Sequence, residues 1–194
     1  ILIYFKYKNI YLMLLNSKKV DIGMPAKDFE LKNVDNEIYT LNDIKKRNGF
    51  VIAFICNHCP YVKDIITRLV DDFNVLLKQD IGVVSIMPND YKAYPEDSFE
   101  NMQKFSNNNN FSFPYLFDCK QKVAKSYGAV CTPDFFCFDN SNKLFYRGRL
   151  DNVKFKANFL EREKSIINAY DKMIKENSIV TKQFSSMGCS IKWR

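Results

Sequence analysis

The chain has 194 residues, 46% apolar and 26% charged, with a net charge of +7. That length suits one domain with a sizeable core, and six cysteines are too few for a disulfide scaffold. The lysines are spread without a dense basic block, which reads as a solvated surface and sets nucleic-acid partners aside.

Residues 1–20 read as an N-terminal extension and 21–194 as the domain. Ile1 to Leu15 is apolar, but Lys6 and Lys8 interrupt it and no small-residue cleavage site follows. It is too short and too charged for an integral membrane span. Met13 is a candidate start. The expected location is the cytoplasm, with export or membrane association through residues 1–15 as the alternative.

Ile22 to Leu31 reads as a loop entering a short strand, and Asn33 to Asn36 as a turn before a second strand, Glu37 to Leu41, giving a hairpin. Phe50 to Ile55 is a continuous apolar run, a buried strand. Val62, Ile65, Ile66, Leu69, Val70, Phe73, Leu76 and Leu77 recur at spacings of three and four, one face of a helix with Pro60 in its first turn. Gly82 to Met87 is another buried strand, and strand–helix–strand at this spacing is a parallel crossover unit. Residues 88–118 read as an insertion with a short helix around Ser98 to Phe105 and a loop at Asn107 to Asn110. A short helix, Gln121 to Tyr127, closes at Gly128. A strand from Pro133 to Phe138 turns at Asp139 to Asn142 and returns antiparallel over Lys143 to Arg147. Phe159, Leu160, Ile166, Ile167, Tyr170, Met173 and Ile174 share one face of a last helix, and the final ten residues read as an irregular tail.

Cys56-Asn57-His58-Cys59 falls between the buried strand and the long helix. A sulfur there faces unpaired backbone N–H groups and the positive end of the helix dipole, which favour a thiolate. Cys56 is the expected nucleophile, and Cys59, one turn on, the residue that resolves a mixed disulfide. A zinc site needs four ligands, and no second Cys-x-x-Cys or His pair accompanies this one, so no metal and no other cofactor is expected. Haem attachment needs His after the second Cys, where Pro60 stands. His58, the lone histidine, is a candidate for redox tuning, because an imidazolium beside a thiol favours the thiolate. Cys137, inside Phe135-Phe136-Cys137-Phe138, reads as an inert core thiol.

The order of elements is a thioredoxin-like α/β fold: a mixed central sheet flanked by helices, with an N-terminal hairpin and a peroxiredoxin-type insertion. The stretch Phe54 to Lys63, with its Cys-Asn-His-Cys-Pro motif, resembles a peroxiredoxin-like (AhpC/TSA, redoxin-domain) branch of the thioredoxin superfamily. Tyr94 to Ser98, Tyr127 to Phe136 and Gly188 to Trp193 also match, so the likeness runs from about Ile22 to Arg194. The resemblance implies that Thr132 and Pro133 form a cis-proline loop facing the dithiol, its backbone edge free for a substrate segment. Cys131 would lie nearby, as a bystander or a third partner. Two readings of Cys189 stay open: a thiol that resolves a mixed disulfide or links two chains, and a tail thiol packed with Trp193.

Two departures matter. Thioredoxins bury an acid six positions before the first cysteine, where this chain has Phe50, and peroxiredoxins use Pro-x-x-x-Thr-x-x-Cys, where alignment on Cys59 gives Ile52 and Cys56. The leading expectation is a thiol–disulfide oxidoreductase acting on a protein or small-molecule disulfide, in redox homeostasis or antioxidant defence. A thiol peroxidase and a non-enzymatic thiol-based metal-binding or redox-sensing module are the alternatives. Oligomeric state is not legible in the residues.

Overall fold

The computed structural model describes residues 3–7, 10–18, 22–157, 161–176 and 182–194. In chain order the elements are β1 (Ile3–Tyr7), β2 (Ile10–Asn16), β3 (Glu30–Asn33), β4 (Ile38–Thr40), α1 (Leu41–Ile44), β5 (Phe50–Phe54), α2 (Pro60–Lys78) and β6 (Gly82–Met87). A 3-10 turn at Pro95–Asp97 leads into α3 (Phe99–Asn108), β7 (Tyr115–Phe117), α4 (Lys122–Tyr127), β8 (Cys131–Thr132), β9 (Asp134–Phe138), β10 (Leu144–Gly148), α5 (Ser165–Glu176) and β11 (Met187–Ser190).

The main sheet runs β10-β9-β5-β6-β7-β3-β4. Its centre is parallel, β5 with β6 and β6 with β7, and the flanks are antiparallel. Every residue of β5 is buried, as expected for a strand covered on both faces. Alternation decides which way each side chain goes. Val51 and Ala53 join the layer that holds Val62, Leu69 and Phe73 of α2 and Ile166 and Tyr170 of α5. Phe50, Ile52 and Phe54 join the opposite layer with Leu41, Val123 and Tyr127. The expected hairpin forms as β3 and β4, with Lys32 opposite Ile38. Gly128 ends α4 at φ 65°, a left-handed cap that costs glycine little.

Three expectations need correction. Residues 115–117, read as part of a loop-rich insertion, are a strand parallel to β6; three residues are too few for a periodic signal, and pairing recruits them. The C-terminal tail is not irregular, because β11 pairs with β2 and β8 in a second sheet ordered β1-β2-β11-β8. Ile174, placed on the buried face of the last helix, is 43% exposed, and Phe159 and Leu160 lie outside the described residues. Residues of the expected extension, 10–16, form β2. Among the described residues, no helix is long and apolar enough to cross a membrane.

Candidate active site

The site sits where β5 ends and α2 begins. Pro60 occupies the first helical position and Cys59 is the N-cap, at φ −62° and ψ 124°. A proline disfavours helical backbone at the residue before it, and Cys59 is accordingly extended and stands outside the helix. The sulfur at the mouth of the helix is therefore that of Cys59.

Cys56, Cys59 and Cys189 are buried together. Burial works against ionisation of Cys59, yet hydrogen bonds from the Cys189 and Cys56 thiols and the Val62 N–H hold it well below the usual thiol range. Burial pushes the Cys56 thiol well up, and its bond to Cys59 and the nearby Asp97 charge push it further. The hydroxyl of Thr132, 3.2 Å from Cys56 Sγ, opposes that rise. These surroundings favour a thiolate at Cys59 over one at Cys56.

His58 Nδ1 lies 2.7 Å from Asp97 Oδ2, and its ring stacks on Tyr94 with centroids 5.5 Å apart. Burial lowers the His58 pKa, but the bond to Asp97 and the charges of Asp97 and Cys59 outweigh it and raise it overall. Asp97 also accepts from the Asn57 backbone N–H at 2.8 Å and from Asn89 Nδ2 at 2.8 Å. The Tyr115 hydroxyl donates to Asn57 Oδ1 at 2.8 Å and locks the loop from the other side. Sequence reasoning gave Asp97 no role, although it stands in the matched Tyr94 to Ser98 segment.

Thr132–Pro133 is cis, as the resemblance implied. Its edge, expected to be free, is occupied: β11 pairs with β8, Cys189 opposite Thr132 and Ser190 opposite Cys131. Cys59 Sγ lies 2.6 Å from Cys189 Sγ and 3.4 Å from the Thr132 carbonyl oxygen. Cys189 is thus joined to the dithiol by its sulfur, while the Lys125 ammonium lies over the Trp193 ring at 5.4 Å. The Cys131 thiol lies 3.9 Å from the Pro133 carbonyl, and burial and the Asp134 charge push it well up. Burial does the same to Cys137.

Ligand atoms of Cys56, His58 and Asp97 lie within 4.8 Å of one another, so these three could hold a metal ion. Sulfur, nitrogen and oxygen donors suit zinc, which takes four ligands in closed sites. A cleft of about 450 Å³ is bordered by Tyr61, Pro133, Phe155 and Met187, and none of the three buried cysteines lines it.

The profile of the AhpC/TSA family matches residues 22–147. The chain is 41% identical to an uncharacterized conserved protein from Geobacillus kaustophilus, with a TM-score of 0.89 over 93% of this chain and 96% of that one. It is 22% identical over 131 residues to the thiol-disulfide oxidoreductase ResA of Geobacillus thermodenitrificans, 64% of this chain and 67% of that protein. The fold is thioredoxin-like: the thioredoxin domain of a Bacteroides vulgatus thiol-disulfide oxidoreductase matches at TM-score 0.55 and 16% identity, over 65% of this chain and 86% of that one.

Proposed function

The chain belongs to the AhpC/TSA family, and from that premise we propose that it is a thiol–disulfide oxidoreductase working through Cys59 and Cys56. The observation that carries this reading is the Cys59 sulfur at the N-cap of α2, held low by hydrogen bonds from two neighbouring thiols. The Cys59 thiolate attacks a disulfide, one half of which leaves as a thiolate. The Cys56 thiol passes its proton to that thiolate and attacks Cys59, expelling the second half as a thiolate that solvent protonates and closing the Cys56–Cys59 disulfide. Two protein thiols are oxidised and one substrate disulfide becomes two thiols. His58, held by Asp97, supplies positive charge beside the ionised sulfur. The name of the ResA relative supports this class of chemistry.

A peroxidase reading is favoured by one observation: the Thr132 hydroxyl beside Cys56 supplies, from another strand, a hydroxyl at the site. Cys59 would then take one peroxide oxygen as a sulfenic acid and release an alcohol or water, and a second thiol would condense with it, releasing water. Reduced protein given a small disulfide, and separately a peroxide, distinguishes the two. Release of two substrate thiols per chain with Cys59 in a disulfide supports exchange. Trapped sulfenic acid without such release supports peroxidase, and Cys59→Ser retaining full exchange overturns the role of Cys59.

A further inference from the structure

We propose that Cys189 is a third redox cysteine, carried by β11 into the place a substrate strand would take, and that it closes a Cys59–Cys189 disulfide when the chain reduces a small disulfide. The proposal rests on the reading of Cys59 as nucleophile.

Placement is the first argument. The chain's own C-terminal strand pairs with β8 at the dithiol, with Cys189 opposite Thr132. The Cys189 sulfur then stands 2.6 Å from that of Cys59. Such an approach needs a residue without a side chain just before it. A Cβ on Gly188 would lie 2.0 Å from the Thr132 carbonyl oxygen and 2.9 Å from Pro133 Cδ. The strand is also pinned beyond the cysteine. Ile191 N–H donates to the Val130 carbonyl at 2.9 Å, Lys192 N–H to Asn89 Oδ1 at 2.9 Å, and Arg194 N–H to Gln121 Oε1 at 2.9 Å. Asn89 binds Asp97 with its amide nitrogen and the tail with its amide oxygen, so one side chain ties the His58 partner to the Cys189 strand.

Substrate class is the second. While β11 is in place, an extended protein segment cannot pair with the edge of β8 that β11 takes at Thr132 and Cys131. A cleft of a size for a small disulfide adjoins this strand pair, bordered by Met187 of β11 and by Pro133 after β8, with Tyr61 and Phe155. Cys59 attacks one sulfur of that disulfide and expels the other as a thiolate, which takes the proton of Cys189. Cys189 then attacks Cys59, the bond to the remaining half breaks, and that half leaves as a thiolate that solvent protonates to the second thiol. Cys56 and Cys189 thus compete to resolve the same adduct.

Full-length reduced protein carrying Cys56→Ser, treated with hydroxyethyl disulfide, tests this by counting released mercaptoethanol and mapping peptides. The expected result is two thiols per chain and a Cys59–Cys189 cross-linked peptide. Adding Cys189→Ser is expected to cut release to one and leave mercaptoethanol on Cys59. One thiol released by Cys56→Ser alone, with a lasting adduct on Cys59, overturns the proposal; if the wild type still releases two through Cys56–Cys59, the dithiol reading survives it. No release from the wild type overturns both. Gly188→Ala keeps all three thiols and is expected to slow Cys59–Cys189 closure roughly tenfold or more by misplacing the strand; unchanged closure overturns the role given to β11.

Discussion

His58 Nδ1 and Asp97 Oδ2 lie 2.7 Å apart across 39 positions of sequence. The pair couples the loop between the two cysteines to a fully buried carboxylate on the turn before α3. Since His58 is the only histidine, its titration can be read without assignment.

Asp97→Asn removes the charge that raises the His58 pKa and is expected to shift the imidazole titration in NMR to lower pH. The stability argument has the same direction. A histidine whose folded pKa lies above the unfolded value of about 6.5 contributes stability below that pH and loses it as pH rises through the folded value. The wild type is expected to lose that contribution above pH 6.5 and the variant to show a flatter profile; identical profiles would remove Asp97 from the site.

His58→Ala is expected to lower the reduction potential of the dithiol, because a cationic ring beside the thiolate stabilises the reduced form. Equilibration against a glutathione buffer checks this, and a potential that rises would contradict it.

Arg147 and Asp134 form a buried pair at 2.7 Å under the cis-proline strand. Burial raises the Asp134 carboxyl to about 6 even though Arg147 opposes the rise. A carboxyl raised in the fold favours stability at low pH and loses that contribution as pH rises from about 4 through about 6. Arg147→Ala leaves the acid unpaired and is expected to cost about 3–5 kcal/mol in denaturant unfolding, more at pH 8 than at pH 5.

Gly188→Ala is expected to cost about 1–3 kcal/mol by overpacking against the Thr132 carbonyl. The Cys59 thiol should rise with it, since the displaced strand takes away the Cys189 bond that holds it low. A thiol titration unchanged from wild type would show that β11 does not govern that sulfur.

Much of the central layer was legible because its signals are local. The buried runs at β5 and β6, the apolar face of α2 and the Gly128 cap each fall within a few residues of sequence. The candidate site residues Cys56, Cys59 and Thr132, which the fold brings together, stand in legible motifs, but their arrangement is not legible there. Which sulfur stands at the helix mouth depends on Pro60, which disfavours helical backbone at Cys59. Asp97 and Cys189 reach the dithiol through tertiary pairing, 39 and 130 positions away from their partners, and no periodicity encodes that. β7 and β11 are too short to announce themselves and form because neighbouring edges need partners.

Ultraviolet titration of the thiolate in Cys56→Ser protein, subtracting the signal of Cys56→Ser/Cys59→Ser, measures the ionisation of Cys59 most directly. A pKa clearly below the ordinary thiol value of about 8.5 is expected. A value at or above it would contradict the assignment of Cys59 as the reacting sulfur.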